Sequence, residues 1–164
     1  MNWFADMPLT FKLLVDKPDA ISVVAQWYFD EWQRFLKHSS VVETRGMLQQ
    51  YMNRGRLPLM IVMVNGPQTI GVAQLKFHEL ADMFPDKEHW LGGIYVAPSW
   101  RGQGHASALV EHAVTVAADL GIPALHLQTA AYDGGLYARL GWEPVASVSN
   151  GFEDVIVMER ELAG

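Results

Sequence analysis

The sequence predicts an α/β protein in which a mixed β-sheet is flanked by helices. Three observations support this prediction. Short apolar runs typical of strands alternate with longer segments of helical periodicity. An Asn65-Gly66 turn joins two of the apolar runs, which is a hairpin signal. A strand, a helix and a strand follow one another between Trp90 and Thr129, and such a unit forms a right-handed parallel crossover.

The elements are assigned from periodicity and turn residues. Strands are predicted at residues 10–15, 59–64, 69–77, 90–96, 124–129, 142–148 and 155–162. Helices are predicted at residues 18–36, 40–54, 104–120 and 135–140. Residues 79–89 are polar and broken by proline, which indicates a loop. Gly92-Gly93 inside a predicted strand indicates a β-bulge or a close approach to the backbone.

The first two helices have recognisable ends and faces. The apolar stripe of the first helix consists of Ile21, Val24, Ala25, Tyr28, Trp32, Phe35 and Leu36. Ser40 and Glu43 form a capping-box pattern at the start of the second helix, and Gly55 is predicted to end it. The buried face of this helix is predicted to consist of Met47, Leu48, Tyr51 and Met52.

Composition narrows the class of protein. The 164 residues are expected to form one domain, 1–164, and the absence of cysteine fits a cytoplasmic protein without disulfides. A net charge of −6 argues against nucleic-acid binding and is compatible with an amine partner. No signal peptide and no apolar run approaching ~18 residues is found, so no membrane segment is expected. His112 and His126 lack partners at metal-ligand spacing, so no metal is expected.

Residues 94–106 (IYVAPSWRGQGHA) predict an anion site. They are assigned to a strand end, a proline-marked turn, a glycine-containing loop and the first turn of a helix. Such a segment directs backbone N–H groups and the positive end of a helix at one point, which suits a phosphate. Arg101 is expected to add a fixed charge and a planar set of donors at the mouth.

Two other interpretations of this glycine loop are weaker. A plain turn with close packing is compatible with Gly102-x-Gly104 alone. A dinucleotide-binding fingerprint would need a third Gly, or an Ala, in place of Ser107. It would also need an acidic residue at the end of the next strand, where the chain has Gln128 and Thr129. The dinucleotide interpretation therefore fails on both requirements.

Two motifs resemble those of one known family. Residues 96–106 (VAPSWRGQGHA) resemble the acyl-CoA-binding motif of the GNAT superfamily of N-acetyltransferases, Arg/Gln-x-x-Gly-x-Gly/Ala. Residues 136–142 (LYARLGW) resemble the second signature of that family, which follows about 30 residues later. The element order is also similar over nearly the whole chain. The resemblance implies a GNAT-like fold, with a central, mostly antiparallel sheet, one parallel βαβ pair and flanking helices.

The resemblance also implies roles for individual residues. The residues that would bind acetyl-CoA, as co-substrate, are Ile94, Tyr95, Val96, Arg101, Gly102, Gln103, Gly104, His105 and Ala106. Backbone groups of the strand would pair with the pantetheine arm, and the loop would hold the pyrophosphate. His105 is expected to offer its backbone N–H while its ring faces solvent. Tyr137 would protonate the departing thiolate as general acid.

The chain departs from the family pattern at the position of the general base. Many relatives carry a glutamate in the strand that corresponds to residues 90–96, where this chain has Gly92 and Gly93. The nearest candidate bases by sequence are Glu79, Glu88 and His89. A second departure is Ala130, where relatives often place an asparagine near the pantetheine; Asp133 is expected to cap the short helix that follows.

The resulting expectation is an enzyme, an acetyl-CoA-dependent N-acetyltransferase. It would acetylate a primary amine of a small molecule or peptide by direct attack of the amine on the thioester. The alternatives are a non-catalytic acyl-CoA-binding module, which the missing strand glutamate leaves open, and a structural protein with a vestigial site. Exposed sheet edges would allow a homodimer.

Overall fold

The computed structural model describes residues 8–32 and 40–162. Its strands are β1 (Leu9–Leu13), β2 (Leu59–Asn65), β3 (Gln68–Phe77), β4 (His89–Val96), β5 (Ala124–Thr129), β6 (Glu143–Ser149) and β7 (Asp154–Glu161). Its helices are α1 (Ala20–Trp32), α2 (Val41–Leu48), α3 (His105–Asp119) and α4 (Gly135–Arg139). In the described ranges one sheet runs in the order β1-β2-β3-β4-β5-β7-β6, parallel between β4 and β5 and antiparallel elsewhere. The predicted mixed sheet and its parallel pair around α3 are confirmed.

The start of the chain follows the prediction with shifted ends. The first strand stops at Leu13, and residues 14–16 form a 3-10 turn in which the backbone N–H of Lys17 bonds to the carbonyl of Leu14. Helix α1 begins at Ala20, and Phe35 and Leu36 lie outside the described residues. None of the described helices is long and apolar enough to cross a membrane.

Helix α2 begins as predicted but ends earlier. The side chain of Ser40 accepts a 3.1 Å hydrogen bond from the backbone N–H of Glu43. A 3-10 turn continues α2 to Tyr51, and the prediction that Gly55 ends this helix is wrong. The physical reason is Asn53, whose amide donates to the carbonyls of Gln50 at 2.8 Å and Pro58 at 2.7 Å and holds the chain in a loop.

The buried face of this helical segment is formed by Thr44, Leu48 and Tyr51, which follow helical spacing. Met47 was predicted to be buried, but it lies at the edge of this face and is 37% exposed. Its side chain instead lines the cavity described below.

Strand β2 lies between two hydrophobic layers. Leu59, Ile61 and Met63 pack in the cluster that includes the buried face of α3. The intervening residues of β2 pack in the cluster that includes α1 and α2. Every residue of β2 is buried, which confirms the prediction of a strand covered on both faces.

Strand β4 contains the irregularity that creates the site. Gln74 of β3 faces Gly92, whereas Val72 faces Tyr95, so β4 has one extra residue between these pairs. This is a β-bulge, and Gly93 within it has a φ of +58°, a conformation that favours glycine. In the described residues, β4 and β5 pair only at Trp90 and His126. Beyond that position the edge of β4 that faces β5 carries no register partner.

Candidate active site

A cavity of about 610 Å³ lies where β4 and β5 diverge. The bulge of β4 and the end of β5 form its floor, and α1, α2 and the β6–β7 turn form its walls. Helix α4 contributes the side chain of Tyr137 to the cavity lining. The volume lies within the range of small-molecule sites, about 300–1,000 Å³.

A chain of polar side chains crosses the cavity floor. The ammonium of Lys76 lies 2.6 Å from Oε1 of Glu79, and Oε2 of Glu79 accepts a 2.8 Å hydrogen bond from Gln128. The amide oxygen of Gln128 then accepts a 3.0 Å hydrogen bond from Asn150. The other end of Asn150 accepts from two backbone N–H groups of the β6–β7 turn, at 2.9 and 3.0 Å. These bonds fix the Glu79 carboxylate in position between β3 and β5.

The carboxylate of Glu79 lies directly over the bulge of β4. A Cβ atom added to Gly92 would stand 2.9 Å from Oε1 of Glu79. Many relatives carry a glutamate on this strand. In this chain the carboxylate beside the strand comes instead from Glu79, in the loop after β3. Each carboxylate oxygen has two lone pairs, so Glu79 can accept a further hydrogen bond beside those from Lys76 and Gln128.

The structure separates the three candidate bases named from sequence. Glu79 lines the cavity, and neither Glu88 nor His89 is among the residues that do. His89 lies at the start of β4, opposite Phe77, with its ring centroid 5.8 Å from that of Phe77 and its Nε2 4.0 Å from the Glu88 carboxylate. Of the three, only Glu79 has the placement that a base acting in this cavity needs.

Two tyrosines turn their hydroxyl groups toward the sheet. The hydroxyl of Tyr28 donates a 2.6 Å hydrogen bond to the carbonyl of Gly93, and the hydroxyl of Tyr51 donates to Gln74 at 3.5 Å. Burial raises the pKa of Tyr28 well above its ordinary value and also raises the pKa of Tyr51. Both side chains therefore stay neutral, and their rings line the cavity.

Tyr137 lies on α4 and faces the cavity. The N-cap of α4 is Gly134, and no side chain from the described part of the chain caps this end, so the prediction that Asp133 caps the helix is wrong. The Asp133 carboxylate instead accepts a 2.9 Å hydrogen bond from the backbone N–H of Gly135, two residues further on. The Tyr137 ring is half-buried and packs edge-on against Trp142, with centroids 6.3 Å apart. Burial raises the pKa of the Tyr137 hydroxyl above its ordinary value. The hydroxyl is therefore protonated at neutral pH, as a proton donor must be.

A second concavity of about 210 Å³ lies at the start of α3. Gly104 is the N-cap of α3 with a φ of +82°, and no side chain in the described residues caps this end. The backbone N–H groups of the first turn are therefore available to a ligand. The space beside Gly102 and Gly104 holds no protein atom within 4 Å of an added Cβ. Uncapped N–H groups around an open glycine loop fit a phosphate group.

Arg101 lies differently from the sequence expectation. Its Nε donates a 2.8 Å hydrogen bond to the carbonyl of Val96, and its guanidinium lies 5.1 Å from the ring centroid of Tyr95. Tyr95 in turn stacks on Trp27, with centroids 5.0 Å apart. The side chain thus folds back onto the end of β4, where stacking and a backbone bond orient it, while it still lines the concavity.

The remaining motif residues divide between the two sites. Ile94 lines the large cavity, and Val96 and Ala106 line the concavity at α3. Gln103 is exposed and lines neither. The ring of His105 was expected in solvent; instead its Nε2 is buried without a hydrogen-bond partner in the described residues, and the ring lies 5.9 Å from that of Trp100.

One cation of the concavity was missed from sequence. Arg139 lines it from α4, opposite the start of α3. Arg139 occupies a variable position between Tyr137 and Leu140 in the second motif. Its positive charge, close in sequence to Tyr137, was the one signal that could have indicated an anion-binding role. With Arg101, it places two permanent positive charges beside the uncapped helix end.

Comparison with known proteins shows the family to which the chain belongs. The Acetyltransferase (GNAT) family model matches residues 21–142. The chain belongs to this family of acetyltransferases, and this membership indicates an acyltransferase. No curated protein matches the chain.

Solved structures share the fold at low sequence identity. An aminoglycoside 6'-acetyltransferase type Ii is 17% identical with a TM-score of 0.72, covering 96% of this chain and 99% of that one. An N-acetyltransferase from Staphylococcus aureus Mu50 is 16% identical with a TM-score of 0.72, covering 95% and 99%. The structure of yncA from Salmonella typhimurium with its cofactor acetyl-CoA is 16% identical with a TM-score of 0.70, covering 94% of each chain. The GNAT-like fold predicted from sequence is confirmed.

Proposed function

We propose that the protein transfers an acetyl group from acetyl-CoA to a primary amine of a small molecule or peptide. The observation that carries the proposal is the alignment of three features along the open edge of β4. A carboxylate (Glu79) lies over the bulge, a neutral phenol (Tyr137) faces the same cavity, and an uncapped helix end with two arginines follows the strand. The solved relative with bound acetyl-CoA supports this choice of co-substrate.

The open edge and the helix end would hold acetyl-CoA. Backbone groups of Ile94 and Val96, on the side of β4 without a register partner, suit the amide groups of an extended pantetheine arm. The uncapped N–H groups of α3, with Arg101 and Arg139, suit the pyrophosphate. A pantetheine bound in this way would extend along β4 from the helix end to the cavity. Bound acetyl-CoA would supply an acyl carbon whose bond to sulfur breaks as the amine nitrogen bonds to that carbon.

Glu79 and Tyr137 would manage the protons. An amine enters largely as an ammonium ion, and Glu79 would accept the proton whose loss makes the nitrogen nucleophilic. Tyr137 would donate its hydroxyl proton to the departing sulfur and regain one from the newly bonded nitrogen. One proton in total is released to water, so charge balances. The cavity would hold the nitrogen near the acyl carbon and so reduce the entropic cost of the reaction.

The direct test is acetyl-CoA-dependent thiol release with a panel of primary amines, using a reaction without amine as the baseline. We expect steady thiol release with at least one amine and a matching acetylated product by mass spectrometry. Tight binding of CoA by calorimetry with no turnover on any amine would instead support a non-catalytic acyl-CoA-binding module. No CoA binding at all would leave a structural protein.

A further inference from the structure

We propose that the acceptor is a small aromatic primary amine that carries no carboxylate. This inference rests on the proposed function and names the substrate class of the same site. Two properties of the described cavity lining support it, namely aromatic rings along one wall and an excess of negative charge without a free cation.

The wall formed by α1 and the turn after α2 is aromatic. Tyr28, Trp32 and Tyr51 line it, and the rings of Tyr28 and Trp32 meet edge-on with centroids 4.9 Å apart. Because the hydroxyls of both tyrosines bond to groups of the sheet, the atoms that they present to the cavity belong mainly to their rings. A planar aromatic body suits such a wall, since aromatic rings pack favourably edge-to-face or offset.

The charges around the cavity favour a cation and disfavour an anion. In the described lining, the carboxylates are Glu79 and Glu153 and the one ammonium is Lys76, which is already paired with Glu79 at 2.6 Å. An incoming ammonium group therefore meets an excess of one negative charge. From the described lining, an incoming carboxylate would gain no cation of its own in return for the water that it loses, which is costly in a partly enclosed site.

The position of Glu79 sets the orientation of the ligand. Its carboxylate lies over Gly92, at the floor, whereas the aromatic wall rises on the α1 side. An amine bound with its nitrogen at Glu79 would extend its ring toward Trp32. A simple probe of this class is 2-phenylethylamine, in which a two-carbon linker joins the ring to the nitrogen.

The experiment compares three probes on the full chain with CoA present. They are 2-phenylethylamine, phenylalanine, which adds only a carboxylate, and 1,5-diaminopentane, which replaces the ring with a second ammonium. Calorimetry measures binding, and thiol release from acetyl-CoA measures transfer separately. We expect 2-phenylethylamine to bind at least about tenfold more tightly than either comparator. Equal or tighter binding of phenylalanine or diaminopentane, or no binding of 2-phenylethylamine, would overturn the proposal.

Two tryptophan variants locate the binding surface. Trp32→Leu should weaken 2-phenylethylamine binding by about tenfold while CoA affinity is kept. Trp27→Leu is the matched control, because Trp27 lies on the same helix and contacts the same Tyr95 ring but does not line the cavity. Equal effects of the two variants would contradict the assigned wall. Selective binding without thiol release would contradict the acetyl-transfer proposal alone.

Discussion

The carboxylate of Glu79 occupies the space beside Gly92, such that a Cβ atom on Gly92 would stand 2.9 Å from its Oε1. Strand β4 has no acidic residue of its own at the bulge, but the carboxylate of Glu79, from the loop after β3, lies beside the bulge. The carboxylate is held by Lys76 on β3 and Gln128 on β5, so its position depends on both parts of the sheet.

This relationship predicts the effect of Glu79→Gln. The amide keeps the shape of the side chain but cannot accept a proton from the amine, so we expect kcat to fall by about 10²–10⁴. Steady-state thiol release measures the change. Glu88→Gln is the control, since Glu88 follows in the same loop, is exposed and does not line the cavity. A Glu79→Gln enzyme with normal kcat would remove Glu79 from the mechanism.

Tyr137→Phe tests the general acid. Loss of the hydroxyl removes the proton donor, so we expect kcat to fall by about 10²-fold with little change in CoA affinity. Because burial raises the pKa of Tyr137, the donor stays protonated up to and beyond the ordinary tyrosine value of about 10, and activity should not decline below that pH on its account. Tyr132→Phe, at a strongly exposed tyrosine, is the control. A rate within twofold of the parent would make Tyr137 structural.

Gly104→Val tests the concavity at the start of α3. The substitution strains a residue at a φ of +82° and places a branched side chain where the phosphate would lie, so CoA affinity should be lost. Gly121→Val is the matched control at the other end of α3, with a φ of +80° and open space around it. Both variants share the backbone strain, so calorimetry should show normal CoA binding only for Gly121→Val. Equal losses would point to helix destabilisation.

Tyr28→Phe tests a pH-dependent term in stability. Burial raises the pKa of Tyr28, so above its ordinary value the unfolded chain loses this proton more readily than the folded one. The stabilisation is complete below about pH 10 and is lost as the pH rises beyond it, because the folded state then holds more protons. Urea unfolding should show a steep alkaline decline for the parent and a shallower one for Tyr28→Phe.

The same variant also loses its bond to the Gly93 carbonyl, which should cost about 1–3 kcal/mol near neutral pH. Tyr132→Phe again serves as the control and should follow the parent at every pH. Parallel pH profiles for the parent and Tyr28→Phe would contradict the assignment.

Local signals were enough to predict most of the fold. The Asn65-Gly66 turn, the Ser40 cap and the burial of β2 on both faces depend on residues close in sequence, and each was confirmed. The paired glycines at Gly92-Gly93 predicted a bulge or a close approach to the backbone, and β4 has a bulge there.

The details of the site depend on contacts between distant residues and could not be predicted in this way. The bonds that hold Glu79 include one to Gln128, 49 positions away, and Gln128 in turn bonds to Asn150 in a turn further on. The inward turn of Arg101 onto Tyr95 depends on the packing of α1 against β4, which no local pattern records. Arg139 joins the concavity only because α4 folds back toward α3.

Strands β4 and β5 share one paired position in the described residues, Trp90 opposite His126, and this limits the cohesion of the sheet. Backbone hydrogen bonds between β4 and β5 therefore contribute little to holding together the two parts of the sheet, β1–β4 and β5–β7. A ligand whose amides pair along β4 would complete the missing ladder and couple the unfolding of both parts. A ligand at 100 times its Kd adds about 2.7 kcal/mol to the free energy of unfolding. The folding cooperativity of the protein would then follow the concentration of that ligand.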